Sequence, residues 1–189
     1  MWNDPPTRLT GGICAHRPQR RQGIPLAALL LVAFLWQPPP AQPSVVPIDL
    51  KSLARAAELI VIGTVVSTRG ELDATRQRVF TVIEVRTDEV LKGTARGPTV
   101  CFRQLGGEAG GVASVMSDSA SFAPGERVLL FLARDQEQRL RLVGGFQGKY
   151  TLELDPTSRS WMAARGVPGA GQVIDRLSLD AARAIIAGP

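Results

Sequence analysis

The apolar segment "LIVIGTVVS", residues 59–67, constrains the fold of this chain more than any other stretch. Its residues are nearly all apolar and many are β-branched, which favours an extended strand over a helix. A nearly continuous apolar run of this length is typical of a strand in the interior of a sheet. The segment therefore predicts one central strand in a domain rich in β-structure.

Shorter segments with strand character follow at close spacing, each bounded by turn residues. Residues 78–87 alternate between two faces, and the polar residues 68–77 before them fit a hairpin connection. The third and fourth predicted strands are 99–105 and 127–133, and Pro124 and Gly125 mark a turn before the fourth. Three more are predicted at 139–145, at 149–154 and, more weakly, at 161–165.

Two short helices flank the predicted strands. Residues 49–58 carry apolar side chains at helical spacing behind Asp49 as N-cap, and residues 178–188 show the same spacing. Closely spaced strands with a helix at either end predict a mainly β fold, a small closed or partly open OB-like β-barrel of five to seven strands. We assign 49–155 to the barrel and 156–189 to a C-terminal strand, loop and helix.

The N-terminal segment has the layout of a secretory signal. The basic stretch "RPQRRQG" precedes an apolar run at 24–36 and a Pro-rich break. As a helix, that run rises only about 20 Å, less than the hydrocarbon core of a bilayer. We assign 1–41 to a signal peptide or, alternatively, to an uncleaved membrane anchor through 24–36, and 42–48 to a Pro-rich linker. The protein is expected to be exported, in the periplasm, in the envelope or outside the cell.

Composition argues against several classes of function. Four arginines of residues 1–41 contribute to the net charge of +5, and the remainder has no concentrated basic stripe of the kind that binds nucleic acid. The one histidine is His16, and Cys101 is the one cysteine beyond the leader. Zinc ligation and Cys-His catalysis are therefore not expected. Cys101 lies in an apolar strand, where a buried, unreactive thiol is expected.

A cluster of glycines marks the first candidate binding loop, "RQLGGEAGGVASV". Gly106 and Gly111 have the spacing of a phosphate-binding loop, but Val112 and Ala113 stand where its lysine and hydroxyl belong. Glycine more simply provides positive φ or a close backbone approach. The pattern predicts a turn whose candidate contact residues are Gln104, Gly106, Gly107 and Glu108.

The segment "GGFQGKYT" forms a second candidate loop. It lacks the first glycine of a phosphate-binding loop and leads into a strand instead of a helix. Its candidate contact residues are Phe146, Gln147, Gly148 and Lys149. Phe146 either contacts a partner or packs against the end of the barrel. The polar residues 68–77 form a third candidate tip.

The strings "ARAAELIVIGTVVSTRGELD", "FTVIEVRTDEVLKG", "VCFRQLGG", "FAPGERVLLFLA" and "RLVGGFQGKYTL" occur in this order over residues 54–153. As an ordered set they resemble a family of exported bacterial proteins of unknown function. The same plan is distantly similar to netrin-like modules, which include the tissue inhibitors of metalloproteinases. That resemblance implies a five-stranded OB-type barrel with flanking helices. The zinc-binding N-terminal cysteine of those inhibitors has no counterpart here, so no inhibitory residue carries over.

These features predict a non-enzymatic exported module that binds a protein or an envelope component. No metal, cofactor or nucleic acid is expected, and membrane contact is expected only through an uncleaved leader. The alternative is a small hydrolase with an unrecognised carboxylate or Ser/Lys site, since scattered carboxylates leave that chemistry open. A further alternative is a structural envelope domain anchored by the leader.

Overall fold

The structure is a computed structural model that describes residues 46–75, 77–169 and 171–188. The predicted leader, its apolar run and the start of the linker lie outside the described residues. Residues Val45–Pro189 make up one compact unit. The two segments assigned from the sequence, 49–155 and 156–189, both lie within it.

Two α-helices and ten strands form the described part of this unit. The helices are α1 (Leu50–Ala56) and α2 (Leu179–Ala187). The strands are β1 (Leu59–Leu72), β2 (Val79–Lys92), β3 (Thr99–Leu105), β4 (Gly107–Ala109), β5 (Val112–Ser114), β6 (Arg127–Arg134), β7 (Leu140–Leu142), β8 (Lys149–Leu154), β9 (Trp161–Gly166) and β10 (Val173–Ser178). A 3₁₀ turn (Gly145–Gly148) joins β7 to β8.

Eight of these strands form one antiparallel sheet in the order β10-β9-β8-β6-β1-β2-β3, with β7 also paired to β6. Strand β6 has two partners on one edge, because β8 pairs with Val128–Leu130 and β7 with Leu132–Arg134. Strands β4 and β5 form a separate hairpin. The mainly β fold with two flanking helices is confirmed. The sheet has more strands than the five to seven expected, and its end strands β3 and β10 do not pair with each other among the described residues.

Strand β6 and the first part of β1, residues 59–65, are buried on both faces, as the apolar run 59–67 indicated. Side chains at successive positions of a strand point to opposite faces. In β1, Ile60 and Ile62 belong to one buried cluster, whereas Leu59 and Val61 belong to a second. The first cluster lies beneath α1 and α2, and the second lies among β1, β2, β3 and β6. Each face of the central strands therefore supports a separate core.

The cap of α1 agrees with the sequence. The Asp49 carboxylate accepts hydrogen bonds from the Ser52 amide at 2.9 Å and the Ser52 hydroxyl at 2.6 Å. These bonds lower the pKa of Asp49 below its usual value. The far end of α1 is capped by Lys92, whose Nζ donates to the carbonyls of Ala54 at 2.7 Å and Ala57 at 2.6 Å. An ammonium group at this end also stabilises the helix dipole.

The prediction of a loop over 68–77 is wrong for half of that segment. Strand β1 continues to Leu72, and its polar end pairs with the start of β2. The turn that remains is held by the Asp73 carboxylate, which accepts from the backbone amides of Gln77 and Arg78. A Cβ at Gly70 would overlap the carbonyl of Glu108, so this glycine allows the β4–β5 hairpin to cross the strand closely.

Candidate functional site

The glycine loop at 106–111 contains β4 and the tight turn that joins β4 to β5. Gly110 and Gly111 occupy its two turn positions with φ of 57° and 78°, the left-handed region that glycine reaches most easily. The carbonyl of Gly106 accepts a hydrogen bond from the Thr81 hydroxyl at 2.8 Å. Gly107 sits so close to Thr81 that a Cβ would overlap its hydroxyl, and Glu108 is exposed. The predicted turn is confirmed.

Gln104 contacts the chain itself. Its amide group pairs with the backbone of Ala120, accepting from the amide at 3.1 Å and donating to the carbonyl at 2.6 Å. The Ser119 hydroxyl donates to the carbonyl of Leu105 at 2.6 Å. These bonds fasten the segment 118–121 to the C-terminal end of β3.

The second candidate loop is fastened to the same segment. Phe146 is buried, and its amide donates to the Asp118 carbonyl at 2.7 Å. Lys149 donates to the Ser121 carbonyl and forms a 2.6 Å ion pair with Glu126. A Cβ at Gly148 would overlap the carbonyl of Val143. Of the two roles weighed for Phe146, its burial matches packing.

Gln147 is buried, and its side chain forms hydrogen bonds with the segment 46–48 that precedes α1. Its side chain accepts from the Ile48 amide at 2.8 Å and donates to the Val46 carbonyl at 3.2 Å. Together with Lys92, Gln104 and Lys149, it shows that polar side chains next to the glycine turns hold loops and helix ends in place. Apart from the exposed Glu108, the candidate contact residues make contacts within the chain, and a role in binding a partner stays a prediction.

Strand β3 ends the sheet, and no described strand pairs with its outer edge. Thr87 N donates to Pro98 O, and Gly106 N donates to Val79 O. These two bonds show which positions of β3 are hydrogen-bonded to β2. Because bonded positions alternate in an antiparallel pair, the backbone groups of Thr99, Cys101 and Arg103 point away from β2, toward the free edge.

The expectation that Cys101 is buried is wrong. The residue is exposed because its side chain lies on the solvent side of β3, while the neighbouring Val100 and Phe102 are buried. Partial desolvation and then the Glu84 carboxylate raise the pKa of the thiol. It is therefore protonated at neutral pH.

A pocket of about 370 Å³ opens between this free edge and the β6–β7 turn; we call it the seam pocket. Its inner wall includes the buried side chains of Leu59, Val100 and Phe102, together with Leu140 of β7. Val82 and Ala95 add further apolar lining, and four arginines stand out among the polar residues: Arg96, Arg103, Arg134 and Arg139. The sequence analysis missed this site because the arginines come from three separate parts of the chain.

Most of the carboxylates near these arginines lie at 3.6–3.9 Å, and Glu137 contacts Arg139 directly. Arg134 Nε lies 3.9 Å from Glu58 Oε2, and Arg103 Nη2 lies 3.6 Å from Glu137 Oε2. Arg139 contacts Glu137 and lies 3.9 Å from Asp135. Arg96 is exposed and forms no ion pair with any residue that the structure describes. Arg134 also donates to the Gln138 carbonyl at 2.8 Å, and the Arg103 guanidinium lies over the Phe80 ring. Arg96 therefore has the fewest described partners of the four.

A second arginine site is closed. The Arg165 side chain is 1% exposed and donates to Asp175 at 2.7 Å and to the Gln147 carbonyl at 3.2 Å. Tyr150 donates to the same Asp175 oxygen at 3.1 Å, and the Arg165 guanidinium lies over its ring. We call these groups the Arg165 cluster. Burial raises the pKa of Tyr150 far above its usual value. The sequence offered one signal, an arginine at an inward position of β9, but its partner lies on the unpredicted β10.

Other site types have little support in the part of the chain that the structure describes. No group of three or more histidine, cysteine, aspartate or glutamate residues could hold a metal ion there. No helix among residues 46–75, 77–169 and 171–188 is both long and apolar enough to cross a membrane. No family model, curated protein or solved structure matches the chain.

Proposed function

We propose that the protein is an exported, non-enzymatic binding module that captures an envelope component in the seam pocket. The observation that carries this proposal is the pocket itself, a concave space with an apolar inner wall and a rim of arginines. Binding sites combine apolar lining with a few polar groups that orient the ligand. The signal-like N-terminal sequence supports export.

We further propose that β1, β2, β3, β6 and β7 form a partly open OB-like barrel. Each neighbouring pair in the order β3-β2-β1-β6-β7 is antiparallel, so β3 and β7 run in the same direction. Side chains of all five strands pack in or against the second buried cluster. A five-stranded, partly open barrel is the OB architecture. In this arrangement the seam pocket lies where β3 and β7 face each other without pairing.

Site-specific photo-crosslinking tests the proposed function. The full chain would carry a benzophenone amino acid at Thr94, which lines the seam pocket, and would be expressed in the cells that naturally make it. A matched variant carries the same group at Thr157, an exposed threonine in the β8–β9 turn. We expect a discrete adduct with one lipid, glycan or protein from Thr94 and not from Thr157.

The same adduct should weaken when Arg96→Glu is added to the Thr94 variant. Equal labelling from both positions, or no adduct from either, would contradict the proposal that the pocket is a binding site. Mass spectrometry of the adduct identifies whether the captured molecule is a protein or another envelope component.

A further inference from the structure

The charges around the seam pocket favour an anionic ligand. The four arginines of the lining stand beside three carboxylates, Glu58, Asp135 and Glu137, and Asp135 also lies 3.6 Å from Arg141 outside the lining. This leaves a surplus of one positive charge in the pocket. Guanidinium groups bind carboxylates and phosphates in a planar, often bidentate geometry.

Two of the rim arginines have hydrogen-bond donors that are not satisfied. The Nε atoms of Arg103 and Arg139 are buried and have no partner among the described residues. An anionic group entering the pocket would supply acceptors at this position.

The inner wall favours an apolar segment on the same ligand. Val82, Ala95 and Leu140 line the pocket and are half-buried, so they have apolar surface to offer a ligand. Ala95 and Leu140 also pack against the buried cluster that contains Leu59, Val100 and Phe102. The volume of about 370 Å³ lies within the range of small-molecule sites.

We infer that the seam pocket binds a single-chain anionic amphiphile, a carboxylate or phosphate ester with an alkyl chain. This inference rests on the proposed binding function and names its ligand class. The anionic head pairs with Arg96, Arg103 and Arg139, and the chain lies along Val82, Ala95 and Leu140. A small polar anion would leave the apolar wall in water, and a neutral hydrocarbon would leave the guanidinium groups unpaired.

Titration of the purified full chain with alkyl phosphates tests this inference. Hexyl, octyl, decyl and dodecyl phosphate are added as monomers, with decanol and decyltrimethylammonium as neutral and cationic counterparts. Each added methylene should tighten binding about fourfold until the pocket is full, because burial of one methylene contributes about 0.8 kcal/mol. We expect decyl phosphate and decanoate to bind and the cationic compound not to bind.

Two charge-matched variants locate the head group. Arg139→Gln should weaken decyl phosphate binding about tenfold, since it removes a charge-assisted hydrogen bond. Arg159→Gln removes the same charge in the β8–β9 turn, away from the pocket, and should leave binding unchanged. Circular dichroism of both variants confirms that the sheet is intact. Equal losses in the two variants would overturn the inference, because they would indicate attraction to net charge alone.

Vesicles distinguish the two sources of such a ligand. Flotation with vesicles of equal parts phosphatidylcholine and phosphatidylglycerol shows whether the protein takes the anionic lipid from a bilayer. Arg139-dependent flotation supports a membrane lipid, and binding of monomers without flotation supports a free amphiphile. If no anionic amphiphile binds, this inference is wrong. If Thr94 still yields a specific protein adduct, the proposed binding function survives that failure; if it yields none, both fail.

Discussion

The Arg165 cluster and the seam pocket use the same side chain in opposite ways. In the cluster, one arginine is almost fully buried and bonds to a carboxylate, a carbonyl and the face of a tyrosine. At the pocket, several arginines are partly exposed, and their carboxylate neighbours lie mostly at 3.6–3.9 Å. The difference separates an arginine that joins strands from arginines that stand partly exposed at the rim of a pocket.

That difference has a physical basis in solvation. A buried charge requires close partners, because desolvation costs more than a distant carboxylate returns. An arginine at a surface opening remains hydrated and can exchange water for a ligand's anion at little cost to folding. We therefore expect changes in the cluster to affect stability and changes at the pocket to affect binding.

The largest effect is expected from Arg165→Ala. Removal of this guanidinium leaves the Asp175 carboxylate beside Tyr150 without its cation and opens space inside the sheet. Because Asp175 is about one-third exposed, we expect a loss of about 3 kcal/mol in the free energy of unfolding, at the lower end for a broken buried pair. Urea unfolding of the full chain measures it. The control Arg159→Ala should change the free energy of unfolding by less than about 0.5 kcal/mol.

The second-largest loss of stability is expected at Gln147, whose carbonyl accepts a hydrogen bond from Arg165. Gln147→Ala removes both side-chain bonds to the segment 46–48 and should cost about 2 kcal/mol. Gln172→Ala is the matched control, since Gln172 is exposed and has no side-chain hydrogen bond among the described contacts. Urea unfolding again provides the measurement. Equal midpoints for the two variants would show that Gln147 does not anchor this segment.

High pH should weaken the cluster. The folded protein raises the pKa of Tyr150, so it favours the neutral phenol. The stabilising contribution is therefore complete below the ordinary tyrosine pKa of 10.0 and declines as the pH rises above it. The decline approaches about 1.4 kcal/mol per pH unit. Comparison of the wild type with Tyr150→Phe across this range measures it, and a parallel pH dependence in both proteins would contradict it.

Tyr150 also offers a direct readout of the same effect. It is the one tyrosine of the chain, so phenolate absorbance reports on it alone. The absorbance should rise together with unfolding and not before it. A phenolate that appears in the folded protein near the ordinary pKa would show that the cluster does not protect this side chain.

The smallest effect on stability is expected at the pocket. Arg139 is 40% exposed, and its Asp135 contact is long. We expect Arg139→Gln to change the free energy of unfolding by less than about 0.5 kcal/mol, as for a surface ion pair. A loss comparable to that of Arg165→Ala would erase the distinction between the two regions. Such a loss would indicate that the rim arginines hold β3 near β7.

Local patterns in the sequence predicted most of the regular structure. Alternation and apolar runs gave both helices and seven strands, because side-chain periodicity depends only on neighbouring residues. Strand β10 was missed because "VIDRLS" follows a Gly/Pro stretch and mixes charged with apolar positions. The polar end of β1 was missed because its pairing with β2, not its hydrophobicity, keeps it extended.

The candidate contact residues show the limit of local patterns. Gln104 and Gln147 were chosen because they stand beside glycines, where loops often bind ligands. Each instead pairs with a backbone segment, and Gln147 does so with residues about a hundred positions away. The sequence contained no sign of these partners, because a glutamine amide can bond to any exposed backbone.

The sequence by itself determined a mainly β domain flanked by two helices. Only the tertiary structure decided that β3 has a free edge, that Cys101 is exposed and that Arg96, Arg103, Arg134 and Arg139 meet around one pocket. The reason is that periodicity is a local property of the chain. Strand order and the position of an edge depend instead on which distant segments pair.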